Sequence, residues 1–135
     1  MSEKKIISII LRFYPETEAI YLFGTYGTAD EQKESDVDIA LLLPPREAKS
    51  AGGLAMSDCR LALEEALKRT VDLINLRAVN TVFQHEIIQE GRVIYDAAEN
   101  AIDVFEMLVM SLYQKLNEER AEILKDIFRE GRTIA

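Results

Sequence analysis

The chain has 135 residues, 48% of them hydrophobic, and its 24 acidic and 16 basic residues give a formal net charge of −8. This length favours one domain with its own core, and the acidity excludes a non-specific nucleic-acid binder, which needs Lys and Arg to displace phosphate counterions. The single cysteine, Cys59, excludes an internal disulfide framework. No run of 18 apolar residues occurs, so we expect a protein without a membrane span that acts in the cytoplasm.

The first half of the chain is predicted to contain one helix and two strands. Ser2 caps the helix, whose apolar residues recur at helical spacing until Pro15 ends it. A short apolar and aromatic run then favours a buried strand, and a polar, glycine-containing loop leads to a second apolar strand. The predicted ranges are 19–23 for the first strand, 24–35 for the loop and 37–43 for the second strand.

The second half begins with two helices and two strands in alternation. The first helix is rich in Ala and Leu, and Cys59 within it is expected to be a small buried apolar residue. The second helix is capped by Asn80 or Thr81 and ends at Gly91, and His85 on it is expected to be partly exposed. The predicted ranges are helix 54–69, strand 70–76, helix 80–91 and strand 92–95.

The last predicted element is a long helix over residues 98–128, with one weaker stretch near Asn117. If continuous, it spans roughly 45 Å at about 1.5 Å per residue, whereas a domain of this size has a radius of gyration near 14 Å by the usual scaling. The helix must therefore overhang the body or fold back at Asn117. An overhanging apolar stripe requires a partner, and residues 114–135 balance five acidic with five basic residues.

The loop and the second strand carry the residues that indicate chemistry. Gly24 and Thr25 follow the first strand, where backbone N–H groups and a hydroxyl can meet a phosphate. Asp36 and Asp38 lie at positions i and i+2, so both point to one face of an otherwise apolar strand. Two carboxylates this close repel each other unless a cation lies between them, and such hard oxygen ligands suit Mg²⁺.

A third acid, Asp72, lies in the otherwise apolar strand 70–76. An unpaired carboxylate is unfavourable in such a strand unless it is paired or binds a metal. If this strand neighbours the second one, three aspartates converge on one face. That arrangement is sufficient for a site with two metal ions.

This pattern resembles the signature of the nucleotidyltransferase superfamily that includes DNA polymerase β: Gly-Ser, about ten residues, Asp-x-Asp, and a later Asp. Here Gly24-Thr25, ten intervening residues, Asp36-Val37-Asp38 and Asp72 match it. The size of the chain and the stretch 86–95 are similar to the minimal nucleotidyltransferase (MNT) domain, and the resemblance covers about residues 5–96. It implies an α/β (α+β) fold with a small mixed sheet of about four strands flanked by helices, followed here by the long C-terminal helix.

The resemblance also implies the roles of the site residues. Asp36, Asp38 and Asp72 would be the catalytic and metal-binding set for two Mg²⁺ ions, with Asp72 acting as a base or a metal ligand. ATP would be the substrate. This sequence departs from the family's frequent Gly-Ser-x-Ala-Arg-Gly because Thr28 stands at the Arg position, and Lys33 would be the substitute cation. The residues expected to bind the nucleotide are Gly24, Thr25, Tyr26, Lys33 and Ser35.

Small MNT proteins are commonly antitoxins that transfer AMP to a tyrosine of a HEPN-domain RNase toxin, and the resemblance implies the same function here. Residues 1–97 would form the nucleotidyltransferase core, and residues 98–135 a partner-binding extension of the same domain. The expected partners are the toxin and ATP, with no nucleic acid or membrane bound directly. Two alternatives remain open: an antitoxin that only occludes the toxin, and a small-molecule nucleotidyltransferase.

Overall fold

A four-stranded mixed sheet forms the centre of the fold in the computed structural model, which describes residues 2–24 and 36–129. The strands are β1 (Ala19–Phe23), β2 (Val37–Leu42), β3 (Val71–Asn75) and β4 (Arg92–Asp96), in the spatial order β3-β2-β1-β4. β1 is antiparallel to β2 and β4, whereas β2 and β3 are parallel. The helices are α1 (Ser2–Phe13), α2 (Pro45–Ala51), α3 (Asp58–Leu67), α4 (Thr81–Glu90) and α5 (Ala101–Arg129).

The two faces of the sheet pack against different helices. Odd-numbered residues of β2, such as Ile39 and Leu41, share a core cluster with α1 and α3. Even-numbered residues, such as Ala40 and Leu42, share a second cluster with α4 and α5. Because strand side chains alternate between faces, Asp38 belongs to the α4/α5 face. The predicted α/β class with about four strands is confirmed.

The segment between β2 and β3 differs from the prediction in two respects. Pro44 and Pro45 end the strand as expected, but Pro45 also begins helix α2, because proline is well tolerated in the first helical turn. The next helix begins at Asp58 and not at Leu54, because the Ser57 hydroxyl caps it by accepting the Arg60 N–H at 3.2 Å. Cys59 is buried as predicted, and burial raises the pKa of its thiol to about 11.

Helix α5 is continuous through Asn117, which answers the question that the sequence left open. Its first half covers the sheet: Phe105 and Val109 are buried, and Tyr21 on β1 donates a hydrogen bond from its hydroxyl to Glu106 Oε2 at 2.7 Å. Over the described ranges, no helix is both long enough and apolar enough to cross a lipid bilayer.

Arg77 joins three parts of the fold at the end of the sheet where β2 and β3 finish. Its Nε donates to the Leu43 carbonyl at 2.6 Å, and its Nη2 pairs with Glu18 at 2.7 Å. The guanidinium also lies over the Phe105 ring, 5.4 Å from the centroid. These contacts fix the start of α5 against the sheet.

We expect Arg77→Met to lower the free energy of unfolding by about 2 kcal/mol, because it leaves the Leu43 carbonyl and Glu18 without their charged donor. Arg129→Met is the matched control, because Arg129 pairs with exposed Asp126 within its own helix, and such pairs contribute under about 1 kcal/mol. Chemical denaturation of both variants measures the difference. Equal stabilities would contradict the role of Arg77.

Candidate active site

The strand register places two of the predicted acids side by side. Asp38 of β2 and Asp72 of β3 are direct partners in the parallel pair, and both side chains point to the α4/α5 face. Asp36 lies immediately before β2, two residues from Asp38. All three predicted aspartates therefore lie at one end of the sheet, which we call the aspartate end.

Contacts from helix α3 hold the start of β3 in this register. The Val71 N–H donates to Glu64 Oε2 at 2.9 Å, and Glu64 Oε1 is paired with Arg60 at 2.9 Å. The Val37 N–H donates to the Thr70 carbonyl at 2.9 Å, which starts the pairing of the two strands. Glu64 was missed from the sequence. Its four-residue spacing from Arg60 indicated only a helix-surface pair.

The carboxylates interact electrostatically. Burial, followed by the charges of Asp72 and Asp36, raises the pKa of Asp38 to about 6 from its ordinary value of 3.8. Asp38 is half-buried, whereas Asp36 and Asp72 are exposed. The site therefore favours neutralisation of Asp38 by a proton or by a bound cation.

Gly24 lies against Asp38 at the end of β1. Phe23 is the register partner of Asp38, and Gly24 follows it with φ of +74°, a conformation that L side chains rarely adopt. A Cβ added at Gly24 would overlap the Asp38 carboxylate, with the Asp38 Cγ only 3.2 Å away. The glycine thus leaves the space that the Asp38 side chain occupies.

Aromatic side chains line the sheet beside this end. The Phe23 ring packs edge-on against Phe83 of α4, with centroids 6.1 Å apart. Gly91, at the end of α4, lies close to the Leu22 carbonyl and to Phe23. The end of β1 is therefore held between β2 and α4.

The remaining predicted nucleotide-binding residues lie outside the described residues: Thr25, Tyr26, Lys33 and Ser35.

The carboxylates at the aspartate end suit a hard divalent cation that also takes ligands from a bound substrate. Mg²⁺ commonly takes one or two carboxylates and completes its shell with water and phosphate oxygens. Within residues 2–24 and 36–129, no three His, Cys, Asp or Glu side chains already form a metal-ligand group. The adjacent Asp38 and Asp72 carboxylates would supply the protein ligands, and a cation would offset the burial and the neighbouring charges that raise the pKa of Asp38.

We expect Asp38→Asn to stabilise the metal-free protein at pH 8. Because the folded-state pKa of Asp38 is above its ordinary value, its negative charge destabilises the fold above pH 6, and this penalty disappears as pH falls towards 4. After allowance for solvent screening of this half-exposed group, the gain is about 1 kcal/mol, or roughly 3 °C in Tm.

Thermal unfolding of the wild type and Asp38→Asn in EDTA, at pH 8 and at pH 4, checks this expectation. Asp96→Asn is the control, since Asp96 is an exposed strand aspartate at the opposite end of the sheet. A lower Tm for Asp38→Asn than for the wild type at pH 8 would contradict the assigned penalty from burial and neighbouring charges.

Comparison with known proteins agrees with this geometry. Residues 4–100 match the family model described as Polymerase beta, Nucleotidyltransferase. Over 127 residues the chain is 31% identical to the protein adenylyltransferase MntA of Shewanella oneidensis, and the match covers 94% of this chain and 88% of that protein.

Solved structures of toxin–antitoxin complexes are also similar. A toxin–antitoxin complex with AMP-PNP contains a chain with a TM-score of 0.73 and 29% identity, covering 95% of this chain and 99% of that one. A complex of tri-AMPylated HEPN toxin and MNT antitoxin from Shewanella oneidensis gives a TM-score of 0.67 at 29% identity, covering 94% and 96%.

The family model spans the sheet, the aspartate end and all elements up to the start of α5. The relative matches almost the whole chain, and its identity is too high for a similarity of fold alone. Asp36, Asp38 and Asp72 all lie within the matched range. This chain belongs to the Polymerase beta nucleotidyltransferase family.

Proposed function

We propose that this chain is an antitoxin that transfers AMP from ATP to a HEPN-domain toxin and thereby neutralises it. The observation that carries the proposal is the pairing of Asp38 with Asp72 across two parallel strands, where Gly24 leaves room for the Asp38 carboxylate. The MntA relative is named a protein adenylyltransferase, and similar antitoxin chains occur in complexes with AMP-PNP and with an AMPylated HEPN toxin.

The proposed reaction joins an acceptor hydroxyl of the toxin, taken to be a tyrosine hydroxyl, to the α-phosphorus of ATP. The new bond links the acceptor oxygen to that phosphorus, the bond from the α-phosphorus to the bridging oxygen breaks, and pyrophosphate leaves. Asp72 is exposed beside Asp38. We propose that it accepts the proton of the acceptor hydroxyl or serves as a metal ligand. Reactions of this kind need mostly positioning and neutralisation of charge.

Asp36, Asp38 and Asp72 are the residues that would hold Mg²⁺, which would neutralise the triphosphate charge when bound. Gly24 and Thr25 are proposed to contact the phosphates. Their support is the sequence pattern together with the position of Gly24 against Asp38. The further nucleotide-binding residues in this proposal are Tyr26, Lys33 and Ser35.

Residues 98–135 are proposed to bind the toxin as an extension of the 1–97 core. Antitoxin activity by occlusion alone is the second candidate, and the exposed apolar side chains of α5 favour it, because they can bind the toxin without a chemical reaction.

We place either activity in the cytoplasm, where ATP is available. No direct contact with nucleic acid is proposed, in keeping with the net charge of −8.

Incubation of the chain with Mg-ATP and the HEPN-domain protein encoded beside it tests the proposal. Intact-protein mass spectrometry should show the toxin gaining one or more AMP units, and its RNase activity should fall in parallel. Loss of RNase activity without added AMP would support occlusion. If the toxin is neither modified nor inhibited at saturating ATP, an antitoxin function is excluded.

A further inference from the structure

The apolar side of α5 continues beyond the body of the protein. At about 100° per residue, two residues that α5 buries against the sheet and a second set of four later apolar residues fall within an arc of about 60°, whereas the exposed Leu124 and Phe128 lie outside it. We call the second set the distal stripe: Leu112, Leu116, Ile123 and Ile127. The buried members in the first half are Phe105 and Val109.

The distal stripe is uncovered. Phe105 and Val109 are at most 3% exposed, whereas Leu116 is 38% and Ile123 is 60% exposed. Between residues 114 and 129 every side chain is exposed except the half-buried Ile127. An apolar stripe that is buried along the first half of a helix and exposed along the second indicates a binding surface for another molecule.

The contacts of α5 define where this surface lies. Helix α5 starts just after β4 ends, where the Ala97 N–H donates to the Glu18 carbonyl beside the start of β1. It then passes Tyr21 in the middle of β1 through Glu106. Further along, the Tyr113 ring stacks on His85 of α4, with centroids 3.7 Å apart and planes within 2°. The helix therefore runs from the opposite end of the sheet towards the aspartate end.

The distal stripe begins where that crossing ends. His85 lies two residues after Phe83, which packs on Phe23 beside the aspartate end. The 16 residues 114–129 extend roughly 24 Å beyond the Tyr113 stack at about 1.5 Å per residue. A protein seated on them is held on the side of the sheet to which Asp38 and Asp72 point.

Helix α5 lies outside the part of the chain that matches the nucleotidyltransferase family model. The family model ends at residue 100, and α5 begins at Ala101. The match to the MntA relative covers 94% of the chain, so it includes most of α5, as do the antitoxin chains solved with their toxins. The helix thus lies beyond the family model and within the matches to antitoxins solved with their toxins.

We propose that the distal stripe docks the HEPN-domain toxin and thereby selects the acceptor and holds it at the aspartate end, an inference that rests on the proposed function. A second copy of this chain is the less favoured occupant, because it would bring two bodies of net charge −8 together. The stripe itself lies in a segment with balanced charges, so it can meet a partner without that repulsion.

The test compares the full-length double variant Leu116→Glu/Ile123→Glu with Lys125→Glu. The control introduces the same side chain on the opposite, exposed side of α5. Three quantities are measured: the Kd for the purified HEPN-domain toxin, the KM and kcat for AMP transfer to it, and the Kd for a fluorescent ATP analogue. Light scattering gives the oligomeric state of each protein without toxin.

For the stripe variant we expect the toxin Kd and KM to rise at least 30-fold, with ATP-analogue binding and kcat within twofold of wild type. Lys125→Glu should stay within twofold throughout. Unchanged toxin binding in the stripe variant overturns the inference, and so does a wild-type dimer that the stripe substitutions convert to a monomer. If the wild type transfers no AMP, the proposed function fails, while the binding arm still reports on the stripe.

Discussion

Replacing Asp38 with asparagine is expected to reduce AMP transfer to the toxin by roughly 10³-fold or more, the scale seen when a principal electrostatic group of an active site is lost. Asp38 is the half-buried member of the carboxylate group, paired with Asp72 and lying two residues from Asp36. The substitution keeps the size of the side chain and removes the charge that would hold a cation. Transfer is measured by mass spectrometry of the toxin at saturating Mg-ATP.

The control for this experiment is Asp96→Asn, which makes the same chemical change at the opposite end of the sheet. It should transfer AMP at the wild-type rate. Toxin binding should be retained by Asp38→Asn, because the distal stripe is untouched. Transfer at a rate within tenfold of wild type would show that Asp38 has no central part in the reaction.

The second large effect is expected for Gly24→Ala, which we predict to lower AMP transfer at least 10²-fold. The added Cβ overlaps the Asp38 carboxylate, so that side chain must move away from its position beside Asp72. The φ of +74° adds backbone strain on the order of 1 kcal/mol for any residue with a Cβ. Chemical denaturation and the transfer assay separate these two consequences.

Gly52→Ala is a matched control because Gly52 has a similar φ of +59° but nothing within 4 Å of an added Cβ. It should lose about 1 kcal/mol of stability through strain alone and keep full activity. Gly24→Ala should lose at least as much stability and the activity as well. If the two variants have equal activity, the close approach of Gly24 to Asp38 is not required.

The sequence predicted the order of strands and helices because each apolar run has a clear period and most have a boundary residue. Helix α2 was missed because two consecutive prolines were interpreted only as the end of a strand, whereas Pro45 also suits a helix start. The start of α3 was placed four residues early because Leu54 is buried without being helical. The spacing of apolar residues indicates which side chains are buried, but burial alone does not determine whether the backbone is helical.

The candidate site was predictable in its residues but not in its geometry. The spacing of Asp36 and Asp38 places them on one face without further information, because strand side chains alternate. The pairing of Asp72 with Asp38 depends on a register between strands 34 positions apart, which no local pattern encodes. The same is true of the Glu64 contact that holds β3 and of the overlap that makes Gly24 necessary.

The uncovered half of α5 is expected to be less stably helical than the half that packs on the sheet. A helical segment without tertiary packing is only marginally stable in water, and local pairs such as Gln114 with Glu118 add only a few tenths of a kcal/mol each. Amide hydrogens in 114–129 should therefore exchange much faster than those of β1 or β2, and a bound partner should slow them. Exchange in this one segment would then measure directly how much of the protein is occupied.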